Sequence, residues 1–160
     1  MNMIKQRALL AAGLLAFGLG TAVYAQEGGL RVVVPADPKA WQKDPSIPHG
    51  AKTLVVYGDP KKAGPYMIRI RMPSGYKLQP HKFPNDLFVT VVKGTFWFGT
   101  GDRYNPMKMR ELQGGSAFTI PQGTPSYSWA RTEVILQVLG QGPVDNPIEY
   151  IHPDDDPRQQ

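Results

Sequence analysis

Apolar positions along this chain recur in short bursts with a period of two, and no stretch after residue 26 holds the spacing of an amphipathic helix. Tyr66 to Met72 alternates strictly. Tyr66, Ile68, Ile70 and Met72 share one face, and Met67, Arg69 and Arg71 share the other. Strands are predicted at 54–57, 66–72, 88–93, 95–98, 117–120, 126–130, 133–140 and 148–151. A polar loop or brief strand is predicted over 103–110. Gly (17) and Pro (16) are spread evenly between these bursts, which supplies a turn every few residues. About nine or ten short strands joined this way imply an all-β sandwich or barrel.

The flanks are different. Lys5 and Arg7 precede an apolar stretch from Ala8 to Gly20, and Val23-Tyr24-Ala25 has the small-x-small form of a cleavage site. Residues 1–25 are therefore expected to be a signal peptide, which makes the protein periplasmic or secreted. The apolar stretch is shorter than a membrane span needs, so no span is expected after cleavage. Residues 26–49 are Pro-rich and are expected to form an extended N-terminal arm. Within it, Val32-Val33-Val34 is placed on an edge strand and Trp41 packs on the barrel surface. The barrel domain is expected over 50–152. Residues 153–160, with Asp154-Asp155-Asp156, are expected to be a solvated tail.

Composition removes several classes. With no cysteine, disulfides, thiolate metal sites and cysteine nucleophiles are excluded. Lys5 and Arg7 fall in the leader, which lowers the formal charge of +5 to +3 for the remainder. Those charges form no stripe, so no nucleic-acid partner is expected. No Gly-rich phosphate loop, Ser-His-Asp arrangement or paired-carboxylate site stands out.

Two glycine- and proline-punctuated stretches remain. The first runs Gly75-Tyr-Lys-Leu-Gln-Pro-His81-Lys-Phe83-Pro-Asn-Asp-Leu87 and closes on Gly94; the second runs from Gly115 through Pro121 and Gly123 to Ser126. Together they resemble the two motifs of the cupin family. Tyr57-Gly58-Asp59-Pro60, Gly64-Pro65, Val89-Thr90-Val91 and Trp129-Ala130 look like a group of small secreted bacterial cupins. The resemblance implies a double-stranded β-helix, the jelly-roll barrel. It also implies a divalent metal held by two His and one Glu of the first motif and one His of the second. Carried over by position, the ligand sites fall on His81, Phe83, Leu87 and Ser126, and the closing Asn of the second motif falls on Ala130.

Only His81 of these four is a good ligand. Phe and Leu offer no lone pair, and one neutral imidazole does not replace a hydration shell. No metal or other cofactor is therefore expected; a divalent ion on His81 is the minority reading. Asp86, one position from the Leu87 site, points to the opposite face in a regular strand. What remains is a barrel mouth ringed by His81, Phe83, Leu87 and Ser126. The neighbouring strand adds either Arg69 and Arg71 or Ile68 and Ile70. Arg69 and Arg71 are retained as pocket candidates because guanidinium forks match carboxylates. With Ser126 inward, Tyr127 and Trp129 pack outside, where the resemblance implies a homodimer contact. The expected function is binding of a small organic molecule in the barrel. The alternative is an isomerase, lyase or oxygenase acting on a sugar or organic acid. His81 would then be its acid or base, as an imidazole that titrates near neutrality, or a residual metal ligand.

Overall fold

The computed structural model describes residues 38–145 and 147–159. The expected signal peptide and the Val32–Val34 strand lie outside the described residues. Ten strands form: β1 (Lys52–Tyr57), β2 (Gly64–Met72), β3 (Lys77–Lys82), β4 (Leu87–Lys93), β5 (Thr95–Thr100), β6 (Arg110–Gln113), β7 (Ala117–Ile120), β8 (Ser126–Ala130), β9 (Val134–Gly142) and β10 (Glu149–Tyr150). Among the described residues the helices are short 3₁₀ turns at Pro38–Ala40, Pro106–Lys108, Pro153–Asp155 and Pro157–Gln159. None is long and apolar enough to cross a membrane.

The strands divide into two five-stranded antiparallel sheets, ordered β1-β2-β9-β4-β7 and β10-β3-β8-β5-β6. From β2 onward the chain crosses repeatedly between the sheets, so sequence neighbours face one another across the core. This is the jelly-roll arrangement expected of a double-stranded β-helix.

Period-two patterning decides what faces inward. On β4, Leu87, Val89 and Val91 are buried while Phe88, Val92 and Lys93 are exposed. On β9, Val134, Leu136 and Val138 are buried and Leu139 is exposed. The inward rows meet in one core cluster with Met72, Leu78, Phe96, Ile120, Ala130 and Ile148. Burial of such rows is the main stabilising term, about 1.5–3 kcal/mol for each large apolar side chain.

Gly94, which ends the first motif, turns between β4 and β5 with φ at 90°. A side chain there would also strike the Glu133 carbonyl oxygen, so backbone and space both require glycine.

The flanks are more involved in the core than the sequence suggests. Within the expected arm, Gln42 bridges Thr53 antiparallel, and Trp41 and Ile47 are buried. The tail is not simply a solvated end. Asp156 is only 7% exposed. Arg158 donates to both Asp156 carboxylate oxygens, at 2.8 and 2.7 Å, and to the Ile148 carbonyl at 3.0 Å. That arrangement holds the Asp156 carboxyl below the usual carboxylate range.

Candidate ligand cavity

Between the sheets lies a cavity of about 90 Å³. Its walls are mostly hydrocarbon: Ile68, Ile70 and Met72 from β2, Leu87 and Val89 from β4, Phe96 and Phe98 from β5. Phe118 and Ile120 of β7 and Leu136 and Val138 of β9 complete that side. Phe98 and Phe118 have centroids 4.8 Å apart, and Phe96 lies 6.3 Å from each.

The polar lining is sparse. His81 and Ser128 come from β3 and β8, and Asp44 and Ser46 from the N-terminal segment. Among the described residues no Lys or Arg lines the cavity.

His81 reaches the interior through an irregularity in its strand. β3 pairs Leu78 with Ser128 and His81 with Ser126, so three steps along β3 match two along β8. The extra residue falls at Gln79-Pro80. It lets both Leu78 and His81 face inward although their positions differ in parity. Proline suits this site because it has no N–H to donate to a ladder. Phe83, two residues on, lines the same cavity, and its ring meets His81 edge-on at 4.8 Å.

His81 is 2% exposed. Its Nδ1 lies 2.6 Å from the Gln79 carbonyl oxygen. A carbonyl can only accept, so Nδ1 carries the proton and the neutral ring keeps its lone pair at Nε2. Burial pushes the imidazole down to about 4; the Gln79 bond acts in the opposite direction and does not offset it. Near neutral pH the group is an uncharged acceptor inside an apolar wall.

Ser126, opposite His81, is fully buried, and its Oγ has no hydrogen-bond partner among the described residues. An unsatisfied buried hydroxyl costs on the order of 1–3 kcal/mol, so it points to an absent partner.

The expected pocket residues thus separate. His81, Phe83 and Leu87 line the cavity together. Ser126 stands beside them through its pairing with His81. Arg69 and Arg71 do not belong to the pocket. Arg69 donates to Gln137 at 3.1 Å, and Arg71 to Glu133 at 2.6 and 3.0 Å. Both lie on the outer face of β2, because that strand turns Tyr66, Ile68, Ile70 and Met72 inward instead. Asp86 is exposed and accepts from the Gln122 amide at 2.7 Å, which occupies it in a turn. His49 is exposed, and His152 contacts the Asp102 carbonyl at 3.2 Å on the surface.

Tyr127 does project outward, but it is only 1% exposed. It packs over Gly99 and donates to the Asn105 carbonyl at 3.2 Å. Trp129 shares its face with Trp97, ring centroids 5.8 Å apart, and Arg131 stacks over both rings.

Sequence reasoning misses the other end of the cavity. Asp44, Ser46, Ile47, Pro147 and Ile148 close it from segments outside the barrel motifs. Tyr150 ties them together by donating to the Ser46 carbonyl at 3.0 Å, and Tyr76 donates to the Pro48 carbonyl at 2.8 Å. Both hydroxyls are pushed up, first by burial.

The donor set does not fit a divalent metal ion. At the four positions carried over, His81 supplies one nitrogen, Ser126 a neutral hydroxyl, and Phe83 and Leu87 nothing. Among the described residues no three His, Asp or Glu side chains gather to hold an ion. Asp44, the one carboxylate on the cavity wall among the described residues, already accepts from the Ser46 amide at 2.9 Å and the Ser46 hydroxyl at 2.5 Å.

No family model matches the chain. No curated protein matches it either. Solved structures do. The polyketide cyclase RemF from Streptomyces resistomycificus superposes with a TM-score of 0.63 at 16% identity, over 81% of this chain and 91% of that one. KdgF from Halomonas sp. gives 0.51 at 20% identity, over 64% and 87%. An RmlC-like cupin from Shewanella frigidimarina gives 0.52 at 18% identity, over 66% and 84%. At these identities the likeness is one of fold.

Proposed function

From a cupin-type barrel in which two of the four ligand positions hold hydrocarbon, we propose a protein that binds a small, largely apolar organic molecule in the barrel without a metal. The observation that carries this reading is the cavity wall: one buried neutral imidazole among aliphatic and phenyl side chains. A volume of about 90 Å³ is small beside the roughly 300–1,000 Å³ of sites for drug-sized ligands. The guest is correspondingly small. As part of the same proposal, the basic and apolar leader exports the chain, and the mature protein begins at Gln26.

The test is elemental analysis of protein purified without chelator or affinity metal. Well below stoichiometric iron, manganese, nickel and zinc is expected. One equivalent of any of them ends the metal-free reading.

A second reading has one observation in its favour. The Gln79 carbonyl orients His81 so that Nε2 is free to take a proton, as a general base must. On that reading an isomerase or lyase would show a pH–rate profile with an apparent pKa near the depressed value of His81, and His81→Gln would abolish turnover.

A further inference from the structure

This inference concerns the occupant of the same cavity and rests on the binding reading above. The walls make two demands on a guest. The first is set by the phenyl rings of Phe83, Phe96, Phe98 and Phe118, which line the space from β5, β7 and the turn after β3. Among Phe96, Phe98 and Phe118 the centroid distances of 4.8 to 6.3 Å are those at which aromatic rings pair, so another ring can join the cluster edge-on or offset. An apolar cavity of roughly 150 Å³ takes up benzene. At about 90 Å³ this one is smaller still, so a single ring is the upper limit and a fused polycycle is excluded.

The second demand is polar. His81 Nδ1 is committed to Gln79, which leaves Nε2 as an acceptor. Behind the lining residues, paired with His81 across the strands and so on the same face of the sheet, Ser126 Oγ is fully buried and unpartnered among the described residues. One oxygen that donates to Nε2 and accepts from Ser126 satisfies both groups. A hydroxyl does this; a carboxylate cannot, since it has no proton to donate. Nor do the described residues offer a cation to hold an anion: none of the lining residues among them is Lys or Arg, and Asp44 on the wall repels one. We infer that the cavity takes an uncharged, single-ring aromatic alcohol of phenol size. Its ring would lie among the phenylalanines, and its hydroxyl between His81 Nε2 and Ser126 Oγ.

Calorimetric titration of the purified protein near pH 8 with phenol, toluene, cyclohexanol and benzoate separates the possibilities. Phenol is expected to bind about tenfold more tightly than toluene, the worth of one net hydrogen bond. Cyclohexanol should bind more weakly than phenol, and benzoate not at all. His81→Leu should erase the preference for phenol while keeping toluene. In case that variant folds poorly, Ser126→Ala should narrow the preference, and in wild-type protein the His81 Nε2 resonance should move with phenol and not with toluene. Equal affinity for phenol and toluene, or a still resonance, overturns the hydroxyl assignment and leaves apolar binding intact. Cyclohexanol binding above phenol overturns the aromatic assignment, and tight benzoate binding overturns the uncharged one. If none of the four binds, the barrel-binding reading falls with it.

Discussion

His81 meets Phe83 edge to face, with ring centroids 4.8 Å apart and planes at 88°. The pair stands where the cupin motif would place two metal-binding histidines, and here one of them is a hydrocarbon ring. A buried imidazole beside a phenyl edge is stable only while uncharged.

That sets a pH dependence. His81 protonates near 6.5 in the unfolded chain and only at about 4 in the folded one. Between those values the unfolded state binds more protons, so stability rises with pH. Wild-type protein is expected to lose about 3 kcal/mol as pH falls from about 7 to about 4. His81→Leu should remove this part of the slope. Urea midpoints of the two proteins across that range are the check; parallel curves would be the contrary result.

Two glycines should fail for different reasons. A methyl at Gly99 would sit 2.5 Å from Tyr127 Cε2 on the outer face of β5. Gly99→Ala is expected to cost about 1–3 kcal/mol by overpacking, and less in a Tyr127→Ala background. Gly115 has open space around it but a φ of 95°. Gly115→Ala is expected to cost about 1–2 kcal/mol from backbone conformation alone, with Tyr127 making no difference. A double-mutant cycle reads the distinction.

Phe88 on β4 and Phe96 on β5 belong to successive strands of opposite sheets, and are 55% and 2% exposed. Phe96→Ala is expected to lose about 3–5 kcal/mol and Phe88→Ser to stay within about 0.5. Thermal and denaturant unfolding of both variants tests the assignment of inner and outer faces.

Arg69 and Arg71 lie outside the barrel, Arg71 in an ion network with Glu133, which Lys93 also joins at 3.0 Å. Arg69→Ala and Arg71→Ala should leave phenol affinity unchanged in titrations where His81→Leu lowers it. Since exposed ion pairs contribute little, melting temperatures should barely move.

Arg158 should matter more than its place near the chain's end suggests. Arg158→Ala releases Asp156 and the Ile148 carbonyl. The melting temperature should drop by several degrees. The Ile151 amide, which donates to the Pro80 carbonyl at 2.9 Å, should exchange faster with solvent.

Strict alternation made most of the fold legible. The 66–72 burst predicted the strand and the two sets of residues that share its faces, but not which set turns inward, and the strands at 117–120 and 126–130 coincide with the observed bounds. β3 was harder to see, because Gln79-Pro80 interrupts its period and reads as a break instead of a bulge. Of the candidate site, His81, Phe83 and Leu87 were readable from glycine register. The arginines were carried inward by a chemical argument that the pleat overrules. Asp44, Ser46, Pro147 and Ile148 could not be found, because their approach to the cavity depends on how the flanks fold back over the sheets. No local pattern records that return.

The chain has three tryptophans, Trp41, Trp97 and Trp129, and none of them lines the cavity. Indole fluorescence is therefore a reporter of the shell. It should register unfolding and disturbance of the Arg131 stack, and stay silent when a guest enters the core. Occupancy has to be followed through phenylalanine, tyrosine or histidine nuclei, and a flat emission titration says nothing against binding.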